Sequence, residues 1–171
     1  NGVLLDGVKT SINIEKDDNS DSMFIKLANL GSSMINDVID DLVNNKITPI
    51  KQNEEEVSYA YNISHEEELI DFNLDANKVN CLIRGLSSNP GAYFKIDNFS
   101  IKVYDSIVET KKCNIEPSIV CDVTKNSFSV SCGNNTCITF VNIKPEGKGK
   151  MDVKSFLNGC KKDELVLEIL K

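Results

Sequence analysis

The stretch "IRGLSSNPGAYFKIDNFSIKVY", Ile83 to Tyr104, changes its period halfway along. Up to Leu86 the apolar residues recur at helical spacing, and from Ala92 onward they alternate. Pro90-Gly91 stands at the change. The residue before a proline is biased away from helix, and a Pro-Gly pair suits the two central positions of a type II turn. A helix is therefore expected to stop against a tight turn and give way to a hairpin. In that hairpin "AYFKI" and "FSIKVY" flank a two-residue loop at Asp97-Asn98, with Phe99, Ile101 and Val103 on one face.

Downstream, "SIVCDV" (118–123), "FSVSC" (128–132) and "CITFVNI" (137–143) read as three further strands. Five short strands after one helix predict a small barrel, and five is the number in an oligonucleotide-binding barrel. Upstream, the helix begins at an Asp75 cap and carries Val79, Leu82, Ile83 and Leu86 on one face. A longer helix is predicted in "SDSMFIKLANLGSSMINDVIDDLVNN" (20–45). Its stripe of apolar residues at 23, 27, 30, 34, 38 and 42 is widened by Phe24, Ile35 and Ile39. Ser20 is the expected cap and Asp21 complements the helix dipole, while Gly31 predicts close packing or a bend.

Residues 46–73, polar and acidic without a sustained period, read as a linker laid along the surface. The triplets Glu54–Glu56 and Glu66–Glu68 read as solvated carboxylates, and His65 as a surface histidine with no nucleophile or second ligand at a telling spacing. "GVLL" (2–5) reads as a strand without a pairing partner, which suggests a cut chain.

The 171 residues are 40% apolar and 26% charged. No apolar run approaches the roughly 18 residues of a membrane span, and no basic-then-apolar leader opens the chain. A cytoplasmic protein is expected. The six cysteines contain no C-x-x-C pair, so neither a zinc site nor a redox motif is indicated and reduced thiols are expected. Cys132 and Cys137 flank "GNNT", a turn that would set their sulfurs across from each other. Charge is uneven: residues 1–70 carry 14 acids and 5 bases, net −9, and residues 71–171 carry 14 bases and 12 acids, net +2. Such asymmetry prompts a search for a polyanion-facing region. Lys148, Lys150, Lys154, Lys161 and Lys162 follow Lys144 closely, a composition shared by solvated surfaces and phosphate-binding ones.

Four pieces in order, "KLANLGSSMINDVIDDL", "AYNISHEEELIDF", "IRGLSSNPGAYFKIDNFSIKVYDSIV" and "NIKPEGKGKMDVKSFLNG", resemble the C-terminal part of methionyl-tRNA formyltransferases. The lysine-rich loop followed by M-x-x-x-x-F-L-x-G is the most specific of them. The resemblance implies transfer of a formyl group from 10-formyltetrahydrofolate to the methionine of initiator methionyl-tRNA, by a monomer. It implies an N-terminal Rossmann-like domain holding folate and the catalytic asparagine, histidine and aspartate, and a C-terminal barrel helping to hold tRNA. On this reading residues 1–47 are a remnant of the catalytic domain, 48–73 the linker and 74–171 the barrel domain. The chain then begins beyond all three catalytic positions, so no catalytic, cofactor-binding or metal residue is assigned in it. The same resemblance makes Lys144, Lys148, Lys150 and Lys154 the expected tRNA contacts, with Arg84 and Lys102 as second-rank candidates and a helix-pinning role as the alternative for Arg84. Asn62 and His65 stand where the family's linker usually carries lysine, Phe72 replaces its usual tryptophan, and Ser88 its first proline. The rival readings are the matching region of a nucleotide-sugar formyltransferase and a free-standing oligonucleotide-binding module.

Overall fold

The computed structural model describes residues 3–5, 10–51, 53–96 and 99–159. They fall into two units, Asn1–Asn62 and Ile63–Lys171.

In the first unit, β1 (Val3–Leu5), α1 (Ser20–Val43) and β2 (Pro49–Lys51) precede a single 3-10 turn at Glu54–Glu56. β1 pairs antiparallel with β2, Leu4 opposite Ile50. The partner of the first strand thus lies within the segment read as linker. Three residues are too few to display a period, so the strand was invisible to pattern. The cap of α1 is Asn19 rather than Ser20. Its side chain accepts from Ser22 N at 2.9 Å, while Ser22 Oγ accepts from Asn19 N at 3.0 Å, a reciprocal capping box. Asp18 reinforces this start by accepting from Lys26 Nζ (2.6 Å), Glu15 N (2.7 Å) and Ser22 Oγ (2.8 Å). These bonds, the lysine's above all, lower its pKa to about 2.

The stripe of α1 is present but nowhere fully buried: Met23, Leu30, Met34 and Val38 are half-buried, and Phe24, Leu27, Ile35 and Ile39 are exposed. Two three-residue strands cannot blanket a helix of 24 residues, about 36 Å long. Gly31 has no heavy atom within 4 Å of a Cβ position, so the expected close packing is absent.

The second unit is a six-stranded antiparallel sheet with α2 (Ala76–Leu86) and α3 (Val153–Asn158). The strands are β3 (Ala92–Ile96), β4 (Phe99–Val108), β5 (Val120–Val123), β6 (Phe128–Cys132), β7 (Thr136–Pro145) and β8 (Met151–Asp152). Their order is β3-β4-β7-β6-β5, with β8 added to β7. All five expected strands form, and a two-residue sixth joins them. The loop at Asp97-Asn98 lies outside the described residues. Ile101 and Val103 are buried as expected, whereas Phe99, at the strand's start, is 69% exposed.

The core is phenylalanine-rich. Phe94 and Phe140 stack at 5.1 Å and Phe128 meets Phe140 edge-on at 5.4 Å. Val79, Ile83 and Leu86 of α2 are buried among them. Ile70 and Phe72, read as linker, are only 3% and 2% exposed. The segment that carries them is stitched to β3 by Ile70 N to Tyr93 O (2.8 Å) and Tyr93 N to Glu68 O (2.9 Å), and to Gly133 by that residue's N–H, which reaches Phe72 O and Leu74 O at 2.9 Å. Gly133 therefore bonds this segment instead of continuing the ladder. Cys132 consequently stands opposite Thr136, and Cys137 opposite Ser131. That one-residue slip puts the two sulfurs on opposite faces, which removes the expected juxtaposition. Cys132 joins the core, and Cys137 Sγ donates to Lys111 O at 3.4 Å.

Candidate nucleic-acid interface

β4 and β7 place Lys102 directly opposite Lys144. Beyond Lys144 the chain turns through Glu146–Lys150 into β8. Glu146 anchors this loop: its N–H donates to Ser100 O at 2.9 Å and its carboxylate accepts from Ser100 N at 3.2 Å. Gly147 takes a φ of 72°, a conformation glycine adopts without a Cβ penalty, and Lys148 N donates to Pro145 O at 3.0 Å. α3 follows at once, capped by Asp152, which accepts from Ser155 N at 2.7 Å. That bond holds the Asp152 carboxyl below its ordinary pKa. Lys144, Lys148, Lys150 and Lys154 are all exposed. Among the described residues Lys144, Lys148 and Lys154 form no ion pair.

The two second-rank candidates are engaged otherwise. Lys102 Nζ donates to Pro90 O at 2.6 Å and lies 3.4 Å from Glu68 Oε2. Arg84 Nε donates to Asn80 Oδ1 at 3.1 Å, and Asn80 in turn donates to Ser106 O and Oγ on β4 at 3.1 and 3.0 Å. Arg84 thus orients Asn80 within α2, and Asn80 ties the helix to β4.

The Pro90-Gly91 turn sits beside the lysines. Gly91 has φ 86°, and its N–H donates to Leu86 O at 2.8 Å, closing the end of α2. A Cβ on Gly91 would stand 2.9 Å from Tyr104 Cε1 and 3.5 Å from Lys102 Cδ. Lys150 also stands over the Tyr104 ring, its Nζ 4.6 Å from the centroid. Tyr104 was not singled out in the sequence, where it reads as the last residue of an ordinary strand. His65 stacks flat on Tyr93 at 4.4 Å, and its Nδ1 lies 3.3 Å from Glu68 Oε2. Glu68, only 8% exposed, is therefore shared between His65 and Lys102 rather than solvated. This network clamps residues 65–70 onto β3 and β4. Burial first, then the Glu68 charge, pushes the Tyr93 phenol above its usual pKa.

The profile of the formyl transferase C-terminal domain matches residues 62–161, the greater part of the chain. The chain belongs to the formyl transferase C-terminal domain family. Curated relatives named methionyl-tRNA formyltransferase include that of Limosilactobacillus fermentum, 37% identical over 151 residues that make up 88% of this chain and 48% of the relative. Those of Listeria welshimeri (37% over 149 residues, 87% and 47%) and Malacoplasma penetrans (34% over 148 residues, 86% and 46%) are similar. The chain spans about half the length of these relatives. Among the described residues of this formyl transferase domain no helix is long and apolar enough to cross a membrane, and no cluster of three or more His, Cys, Asp or Glu is arranged to hold a metal.

Proposed function

We propose that this chain is the C-terminal portion of a methionyl-tRNA formyltransferase and that its second unit is an oligonucleotide-binding-like barrel that holds initiator tRNA. The observation that carries this reading is the extent of the likeness: relatives of that name align over 86–88% of the chain, across both units. The exposed lysines on β7, its following loop and α3 fit the role. Lysine is a flexible point charge suited to backbone phosphates, which carry position rather than sequence.

On this reading residues 1–47 belong to the end of the catalytic domain, 48–73 connect, and 74–171 form the barrel. The enzyme works in the cytoplasm as a monomer. It moves a formyl group from 10-formyltetrahydrofolate to methionine on the initiator tRNA, with folate and catalytic side chains held outside this chain. Acyl transfer to an amine needs a proton acceptor and donors aimed at an oxyanion. The one histidine does not fit that task, because it lies flat on Tyr93 as part of a clamp.

The test is titration of the chain against labelled initiator tRNA at several salt concentrations, beside a variant with Lys148→Ala, Lys150→Ala and Lys154→Ala. Binding that falls steeply with salt, and is weaker in the variant, supports the reading; equal binding by both removes the lysines from it. The chain alone is expected to show no formylation, and measurable turnover would refute the assignment of chemistry elsewhere.

A further inference from the structure

We infer that Tyr104 is a positioning residue for RNA: it holds the Lys150 ammonium in place over its ring, and the Pro90-Gly91 turn sets the ring that does so. The inference rests on the reading of this unit as an RNA-holding barrel.

Three observations converge on the ring. In the β4–β7 ladder Val103 faces Ile143, Asp105 faces Asn142 and Ser106 faces Phe140, so the pairing is irregular on both sides of Asp105, immediately after Tyr104. Tyr104 keeps the face of Lys102, two residues before it, and a Cβ on Gly91 would meet both side chains. Gly91 then occupies the space against Cε1 and Cζ, where a Cβ would be 2.9 and 3.3 Å away. The backbone at Tyr104 is also tied to the turn, since Ser87 Oγ donates to Tyr104 O at 3.0 Å. With glycine and serine flanking Tyr104, the Lys150 ammonium sits 4.6 Å from the ring centroid. This distance lies within the range of a cation–π contact.

The consequence is a lysine with less freedom than its neighbours. Lys148 sits in the same exposed loop without such a support, and an exposed lysine loses considerable rotamer entropy on being fixed to a phosphate. A ring that pre-orders Lys150 removes part of that loss before RNA arrives. Lys102, two residues before Tyr104 on the same strand, is bound instead to Pro90 O and Glu68. The turn thereby serves the interface twice, by admitting the ring against Gly91 and by holding Lys102 aside.

The test measures affinity of the full chain for transcribed initiator tRNA at fixed low salt, with the salt slope, for Tyr104→Leu, Tyr104→Phe, Lys150→Ala and the double variant Tyr104→Leu/Lys150→Ala. Tyr104→Leu is expected to weaken binding roughly two- to five-fold, the range of one exposed cation–π contact. Tyr104→Phe should bind as the parent does, because the ring face is retained. The double variant should be no weaker than Lys150→Ala alone, a non-additivity that a general loss of stability does not produce. Lys150→Arg, read independently of any change at 104, should retain binding because guanidinium also stacks on the ring. Additive losses, or parent-like binding by Tyr104→Leu when Lys150→Ala is weakened, would overturn this inference and leave the RNA-holding reading intact. Absence of binding by the parent chain would overturn both.

Discussion

The ammonium of Lys102 lies 2.6 Å from the carbonyl oxygen of Pro90. With Glu68 on its other side at 3.4 Å, it closes a link between the turn, β4 and the segment ahead of α2. Lys102→Met should cost about 1–2 kcal/mol in urea unfolding, since a part-buried carbonyl and a carboxylate lose their donor. Its tRNA affinity should fall less than that of Lys144→Ala, whose exposed lysine forms no ion pair among the described residues. A larger loss of affinity for Lys102→Met would return Lys102 to the interface.

Salt dependence separates the lysines from Arg84. Lys144→Ala and Lys148→Ala should each reduce the slope of log affinity against log salt by roughly 0.7–0.9, the equivalent of one phosphate contact. Arg84→Met should leave that slope unchanged and lower thermal stability, because Asn80 loses the donor that orients it. Slopes measured by filter binding between low and moderate salt decide this.

Two glycines should respond in opposite directions to alanine. Gly31→Ala in the exposed α1 meets nothing within 4 Å and should raise the stability of the helix by about 0.5–1 kcal/mol. At Gly133 a Cβ would stand 2.0 Å from Asn73 O, so backbone must move. Gly133→Ala should cost at least about 1–3 kcal/mol and loosen the docking of 72–74. Circular dichroism melts of the two variants give the comparison.

Acid should loosen the start of α1 through Asp18. Its folded pKa, about 2, lies below the unfolded carboxylate value near 4. The stabilisation is therefore present in full above the unfolded value and is lost as pH falls through the folded one. Asp18→Asn should flatten the decrease in helicity between roughly pH 5 and 2 that the parent shows at 222 nm. An unchanged acid profile would mean that other carboxylates govern that transition.

Thiol reactivity should follow burial. Cys81 is exposed, whereas burial pushes the Cys132 thiol up to about 12 and raises Cys121 and Cys137 as well. Since the thiolate is the nucleophile, iodoacetamide at neutral pH should label Cys81 first among the cysteines of the described residues and reach Cys132 only on unfolding. Mass spectrometry of timed samples reads the order directly, and early labelling of Cys132 would contradict it.

Local pattern determined much of this protein. The change of period at Pro90-Gly91 set α2 against a turn and a hairpin. The Asp75 cap, the α2 face and the five strands all stood where alternation and helical spacing placed them, because burying one face imposes that period on the residues themselves. The lysine cluster was visible as composition. What depends on contacts between distant residues was not visible. Ile70 and Phe72 enter the core because Tyr93 and Gly133 offer backbone partners far along the chain, and no local period marks that. The same bond from Gly133 shifts the β6–β7 register by one residue and sends Cys132 and Cys137 to opposite faces. Lys102 and Lys144 look alike in sequence, yet only the folded turn brings Pro90 O to one and leaves the other exposed. Tyr104 meets Gly91 and Lys150 only in the folded chain, because the turn and the loop after β7 lie far from β4 in sequence.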